Sequence, residues 1–238
     1  VAVALVTGGS RGIGAATCRR LATAGFDVVV GFVQDAGAAD TVVAEVESLG
    51  RRAISKRVDV VDEGSLDAFV AAGAALGPIT AVVANAGVAR AVGSLVDNAL
   101  DDIRADLDVN LLGVVATCRA ALPAMADGGA IVVVSSVAAR LGSPGTYVHY
   151  AAAKAGVEAF AHGLALEVAG RGIRVNAVAP GTTWTGFHRD PQRPATVAAS
   201  VPLGRAGRPD EIAAAIAWLL GPDASYATGS VLEVSGGL

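Results

Sequence analysis

A doubly wound parallel sheet of about seven strands, with helices on both faces in a three-layer α/β/α single domain, is the fold class this sequence predicts. Three observations carry the prediction. Short valine-rich runs recur without polar alternation, which is how strands covered on both faces read. Helical stretches separate these runs one by one, as parallel strands joined by right-handed crossovers require. The first run is followed at once by a glycine-rich turn and a helix. A chain of 238 residues with 53% hydrophobic and only 4% aromatic content suits close packing of small side chains on one buried sheet.

In order, Val1 to Val6 reads as the first strand, and Thr7-Gly8-Gly9-Ser10-Arg11-Gly12-Ile13-Gly14 turns the chain into a helix ending near Ala24, where Gly25 can terminate it. Val28 to Val30 is the second strand, Asp35 to Leu49 a helix closed by Gly50, and Ala53 to Val58 the third strand. Leu66 to Leu76 is helical up to Gly77-Pro78, and Ala81 to Ala84 is the fourth strand. One long helix is expected from about Leu100 to Met125, then a fifth strand, Ile131 to Val134. The helix holding Tyr150 and Lys154 runs to about Val168, and Gly170-Arg171-Gly172 leads into a sixth strand, Ile173 to Val178. Residues 180–203, with four prolines and no persistent period, break the rhythm. A long irregular segment in a compact domain is more often functional than idle, so this is the expected substrate loop. Pro209-Asp210-Glu211 starts a helix to Leu220, and Val231 to Val234 is the last strand.

The net charge of −4 and the lack of a basic stripe argue against a nucleic-acid partner. No uninterrupted apolar run approaches the roughly 20 residues of a membrane span. Cys18 and Cys118 lie in helical stretches far apart and read as buried free thiols. Val1 to Val6 lacks the charged flank of a signal peptide, and a cytoplasmic address is expected. His149, His162 and His188 form no metal constellation with Cys or carboxylates in sequence.

Two stretches carry chemistry. Tyr150 and Lys154 are four apart on one helix, so hydroxyl and ammonium can serve one small volume. A neighbouring cation favours the phenolate and is expected to lower the tyrosine pKa, giving a group that exchanges protons with an alcohol or carbonyl oxygen. A serine at the end of the preceding strand, Ser135 or Ser136, can hold the same oxygen. The second stretch is the glycine turn, where a helix N-terminus offers unpaired amides and glycines let a pyrophosphate approach the backbone. Its glycines are Gly8, Gly12 and Gly14, and Thr17 stands where G-x-G-x-x-G would need glycine. Such turns also occur for structural reasons alone, and the residues by themselves leave both readings open.

Thr7-Gly8-x-x-x-Gly12-x-Gly14, Asn85-Ala86-Gly87, Asn110, Ser136 and Tyr150-x-x-x-Lys154 together resemble the short-chain dehydrogenase/reductase family. The resemblance extends to Asp59-Val60, Pro180-Gly181 and Ala227-Thr228-Gly229, nearly the whole chain. It implies a Rossmann-type NAD(P)-binding domain over residues 1–238 and a catalytic set of Asn110, Ser136, Tyr150 and Lys154. Tyr150 is then the proton donor and Ser136 polarises the carbonyl. Lys154 depresses the tyrosine pKa and holds the nicotinamide ribose, and Asn110 bends its helix and anchors a water. Cofactor contacts are implied for Gly8, Ser10, Arg11, Gly12, Ile13, Gly14, Asp59, Val60, Asn85, Ala86, Gly87, Pro180, Gly181 and Thr182, besides Tyr150 and Lys154. The first Asn of the family's usual Asn-Asn-Ala-Gly is Ala84 here, and its Asp before the terminal Gly-Gly is Ser235.

These residues imply an oxidoreductase using NADP (NADPH) on a small carbonyl or alcohol substrate. The overall pattern is close to 3-oxoacyl-acyl-carrier-protein reductases and to relatives acting on sugars. An acidic carrier protein wants a basic docking surface, for which Arg171 and Arg174 are the candidates, and a small free ketone or aldehyde is ranked ahead of it. A non-catalytic NADPH-binding sensor is the rival from another class, disfavoured by the intact Ser, Tyr, Lys and Asn. NADPH is expected over NADH because the second strand runs into Gly31-Phe32-Val33-Gln34, leaving no carboxylate to guard the ribose 2′-position, while Arg11 sits in the phosphate turn. The resemblance implies a homotetramer, because the family commonly packs the helices holding Asn110 and Tyr150 against a partner, and both carry many apolar residues here.

Overall fold

The structure, a computed structural model, describes residues 1–187 and 190–238; His188 lies outside the described residues. Seven strands, β1 (Val3–Val6), β2 (Asp27–Phe32), β3 (Ala53–Arg57), β4 (Ile79–Ala84), β5 (Met125–Val134), β6 (Arg174–Pro180) and β7 (Val231–Val234), form one sheet in the order β3-β2-β1-β4-β5-β6-β7. All six pairings are parallel. The helices are α1 (Gly12–Thr23), α2 (Ala36–Ser48), α3 (Glu63–Leu76), α4 (Leu100–Leu107), α5 (Gly113–Ala121), α6 (Ala138–Leu141), α7 (Val148–Val168), α8 (Arg193–Ala198) and α9 (Pro209–Leu220).

The strands are unbroken valine because each side chain meets a helix whichever way it points. In β1, Val3 and Leu5 join a core with Leu66 and Phe69 of α3, Val114 and Cys118 of α5, and Val157 and Leu164 of α7. Ala4 and Val6 join a second core with Cys18 and Leu21 of α1, Val42 and Val46 of α2, and Ile212 and Ile216 of α9. Each fully buried Val, Leu or Ile contributes about 1.5–3 kcal/mol relative to exposure. The two cores therefore hold the sheet from both sides.

Helix starts follow their local chemistry. Asp35 and Asp62 cap α2 and α3 by accepting from the amides of Ala38 (2.9 Å) and Ser65 (2.8 Å). Pro209 opens α9, where Glu211 accepts from the Arg208 amide at 2.7 Å. The α1 start differs: Arg11 is extended, its side chain makes no cap, and no acid lies in the first turn.

The long helix expected from Leu100 to Met125 is segmented. A π-helical turn, Asp108–Leu112, separates α4 from α5, and Leu122–Ala124 tightens into a 3₁₀ turn at Pro123 before Met125 enters β5. Proline has no amide to continue an α-helix. The rod Leu100–Ala124 is by length and composition apolar enough to cross a membrane, with a window of mean hydropathy 1.3, although no uninterrupted apolar run announces it. Only part of it is covered within the chain: Val114, Cys118 and Ala121 are buried against the sheet, while Leu100 and Leu112 are exposed.

Strand order reverses between β1 and β4, since the chain moves outward from β1 to β2 and β3 and then returns to its other side. In such sheets the crevice for a ligand lies beyond the carboxyl ends of the strands at that reversal.

Candidate active site

At the carboxyl end of β1, Gly8 and Gly12 adopt φ of +63° and +54°, values that side-chain-bearing residues rarely take. Asn85, at the end of β4, clasps this turn. Its Nδ2 donates to the carbonyls of Thr7 (2.9 Å) and Gly8 (3.1 Å), while the Thr7 hydroxyl accepts from the amides of Asn85 (3.0 Å) and Ala86 (3.1 Å). The α1 N-terminus, uncapped by any side chain, is left facing the crevice with its unpaired amides. That arrangement fits a dinucleotide pyrophosphate, supplying amides and positive potential without a competing carboxylate.

The crevice is a cavity of about 630 Å³. Its wall includes Gly8, Ser10, Arg11, Gly12, Ile13, Gly14, Asp59, Val60, Asn85, Ala86, Gly87, Ser136, Tyr150, Lys154, Pro180, Gly181 and Thr182, the whole of the expected set except Asn110. Asp35 lies on it too, which corrects the expectation of a carboxylate-free end to β2; the Asp35 side chain is occupied in capping α2.

Tyr150 and Lys154, one turn apart on α7, are both buried. The Lys154 Nζ donates to the Val134 carbonyl at 2.8 Å and lies 5.6 Å from the Tyr150 ring centroid. The Ser136 side chain favours the Tyr150 phenolate and accepts from the Ala138 amide at 3.2 Å. Ser135 is turned away, donating to Glu158 Oε1 at 2.7 Å and to the Lys154 carbonyl at 3.2 Å. Adjacent residues leaving a strand point to opposite sides, and Ser136 is the one beside Tyr150.

One electrostatic expectation is reversed. Burial pushes the Tyr150 phenol above its usual range, Tyr147 and the Asp106 carboxylate push the same way, and the Ser136 hydrogen bond opposes them. Burial lowers Lys154 to about 8. Desolvation disfavours both charged forms and is the largest influence on each residue. Tyr150 therefore keeps its proton at neutral pH, the state needed in a donor.

Asn110 is fully buried, not the surface residue that its helical position alone suggests. Its Nδ2 donates to the carbonyls of Val88 (2.7 Å) and Asp106 (2.8 Å), and its Oδ1 accepts from the Val88 amide (3.2 Å). The π turn and this double bond to residue 88 fix the cavity wall after β4. Asp106 continues the bracing: its carboxylate accepts from the amides of Arg90 (3.0 Å) and Ala91 (3.1 Å) and meets His149 Nε2 at 3.2 Å. His149 is buried and braces the first turn of α7, and His162 approaches the Gly229 carbonyl.

Sequence reasoning missed the aromatic surround. Tyr147 lines the cavity and meets Tyr150 edge to face with centroids 4.9 Å apart, and Phe187 packs on the other side at 5.7 Å. Tyr147 was visible at its helical spacing but has no lysine partner. Phe187 and Arg193 lie in the aperiodic segment, where no pattern marks them.

Over residues 8–238 the sequence matches the family described as Enoyl-(Acyl carrier protein) reductase. It is 43% identical to the uncharacterized oxidoreductase YgfF of Escherichia coli (strain K12), with 100% of each chain covered. It is 40% identical to a 3-oxoacyl-[acyl-carrier-protein] reductase of Synechocystis, covering 99% of this chain and 96% of that one. A short chain dehydrogenase from Burkholderia cenocepacia J2315, solved in complex with NADP, superposes with a TM-score of 0.93 at 39% identity, over 98% of this chain and 96% of that one.

Proposed function

The chain belongs to the short-chain dehydrogenase/reductase family of oxidoreductases, and from that premise we propose that it reversibly reduces the carbonyl of a small molecule to an alcohol with NADPH. The observation that carries this reading is the Ser136–Tyr150 hydroxyl pair opening on the same cavity as the glycine turn. The cofactor, when bound, supplies the hydride. Everything else falls to the chain. Ser136 holds and polarises the carbonyl oxygen, and Tyr150 delivers a proton to it. Lys154 supports the phenolate left behind, and its lowered pKa makes it a ready source for reprotonation. Asn110 acts by position, keeping the wall at residues 87–88 in place. Residues 180–203 form the substrate loop, contributing Thr182 and Phe187 to the wall.

Oxidation of NADPH over a panel of ketones, aldehydes, keto-sugars and acyl thioesters tests the proposal. Turnover of any class supports it, and silence across all of them would return the protein to the role of a nucleotide-binding sensor. A carrier-bound 3-oxoacyl group, for whose reduction the Synechocystis relative is named, is the less favoured substrate. Both candidate docking cations are committed within the chain: Arg171 to Asp127 and the carbonyls of Leu122 and Met125, Arg174 to the carbonyls of Leu219, Gly221 and Ala227.

NADPH is preferred over NADH on this reading because Arg11 lines the cavity in the phosphate turn and its guanidinium has no carboxylate or carbonyl partner among the described residues. A guanidinium clamping a 2′-phosphate contributes roughly 1.5–3 kcal/mol, about ten- to a hundredfold in affinity. Arg11→Ala is expected to weaken NADPH binding by that factor and to leave NADH binding nearly unchanged. Equal losses for the two, measured by fluorescence titration, would remove Arg11 from this role.

A homotetramer is also expected. Leu100 and Leu112 on the α4–α5 rod and Leu166 on α7 are 59%, 58% and 69% exposed, apolar surface that a partner subunit would cover. Light scattering at micromolar protein should return four times the chain mass, and a monomer would contradict the expectation.

A further inference from the structure

The arginines of this chain are nearly all spoken for. Among the described residues, eleven of them bond a carboxylate or a backbone carbonyl, and those whose guanidinium does neither are Arg11, Arg20, Arg90 and Arg193. Three of these four line the cavity that holds Tyr150 and the glycine turn. Arg11 belongs to the nucleotide end. Arg90 and Arg193 do not: Arg90 follows the wall segment held by Asp106, and Arg193 opens α8 in the substrate loop.

Arg193 is placed with some care. Its guanidinium carbon lies 5.7 Å from the centroid of the Tyr147 ring, and that ring meets Tyr150 at 4.9 Å. The cation therefore stands one aromatic ring away from the proton donor. It is half-buried, and the buried Pro194 beside it anchors the helix. The nearby carboxylates are otherwise engaged. Asp106 is saturated by two amides and His149, while Asp35 and Asp59 line the cavity with the residues that flank the glycine turn. Leu238 also reaches the wall, with its carbonyl oxygen bonded by Arg140. A cation held against an aromatic face on the wall of a pocket is a receptor for an anion.

We propose that the substrate is an anionic carbonyl compound, a small keto acid whose carboxylate is received by Arg193, with Arg90 adding positive potential, while its carbonyl lies at Ser136 and Tyr150. This deepens the carbonyl-reductase reading and rests on it. The separation of a single ring suits a carboxylate within the substrate molecule itself. The phosphate of a pantetheine arm, at the far end of a long tether from the carbonyl, does not fit that separation.

The test compares a series of 2-, 3-, 4- and 5-oxo carboxylates with their methyl esters, which keep the carbonyl and remove the charge. In the wild type at least one acid is expected to exceed its ester by about ten- to a hundredfold in kcat/KM. Arg193→Gln should erase that preference by raising KM for the acid about tenfold more than for the ester, and Arg193→Lys should restore part of it. Calorimetric binding of the same acid and ester to the protein with NADP, in the wild type and in Arg193→Gln, judges the inference independently of turnover. Selective loss of acid binding supports it even if no compound is reduced, an outcome that would sink only the reductase reading. Equal handling of acid and ester by the wild type, an equal loss for both in Arg193→Gln, or a preference for coenzyme A thioesters over every acid would overturn it.

Discussion

Replacing Tyr150 with Phe is expected to cut kcat by about 10²–10⁴-fold, the usual contribution of a positioned general acid, while NADPH affinity stays within a few-fold. The substitution is close to isosteric. The ring keeps its edge-to-face contact with Tyr147 and its packing on Phe187, so the aromatic wall survives. What disappears is the exchangeable proton near Ser136. Burial first, then Tyr147 and the Asp106 carboxylate, hold Tyr150 in its protonated form, so in the wild type that proton is present at neutral pH. Steady-state kinetics on the best carbonyl substrate, alongside cofactor titration, separates the two effects. A variant keeping more than a tenth of wild-type kcat would remove Tyr150 from the chemistry.

Gly14→Ala is expected to lower NADPH affinity by about a hundredfold or more and to reduce the melting temperature by several degrees, because overpacking costs typically 1–3 kcal/mol. A Cβ on Gly14 would come within 2.0 Å of the Gly8 carbonyl oxygen and 2.7 Å of Asn85 Nδ2. Backbone cannot swing aside as a flexible side chain does. Relief must come from opening the turn, which breaks the Asn85 bonds to Thr7 and Gly8 and misplaces the α1 amides. Gly163→Ala is the control. It sits inside α7 with no heavy atom within 4 Å of the added methyl, so it should be neutral or slightly stabilising through helix propensity. Binding by Gly14→Ala within threefold of wild type would show that the close approach in the turn is not needed for the nucleotide.

Much of the fold is legible in the residues because it depends on local, repeated signals. The valine runs, glycine stops and capping aspartates mark strands and helices to within a few residues, and Val231–Val234 and Pro209–Leu220 coincide with their expected bounds. The π turn is different. It follows from buried contacts of Asn110 with residues in another loop, and no single-helix pattern encodes such a contact. The same holds for Asp106 and His149, which are far apart in the chain and meet only once α4 and α7 pack together. Among the site residues, Tyr150 and Lys154 announce themselves by helical spacing, whereas the choice between Ser135 and Ser136 needed the geometry. The sign of the Tyr150 shift was misjudged because proximity to Lys154 can be read from spacing, while the depth of burial cannot. Arg193 was invisible for a related reason: whether an arginine is paired is a property of the folded molecule.

The clasp between Thr7 and Asn85 has a further meaning for how the protein acquires its nucleotide site. Its partners are separated by 78 residues, and each doubling of a closed loop adds only about 0.6 kcal/mol of entropic cost, but that cost is met before the bond forms. The glycine turn, though read from a few adjacent residues, is thus not a self-sufficient local motif. It is drawn into shape only when β4 docks beside β1, after β2 and β3 have been synthesised in between. During biosynthesis the stretch that looks most like a ready-made binding loop has to wait for the strand that arrives fourth, and a nucleotide present at that moment would act by mass action as a late stabiliser of the assembled half-sheet.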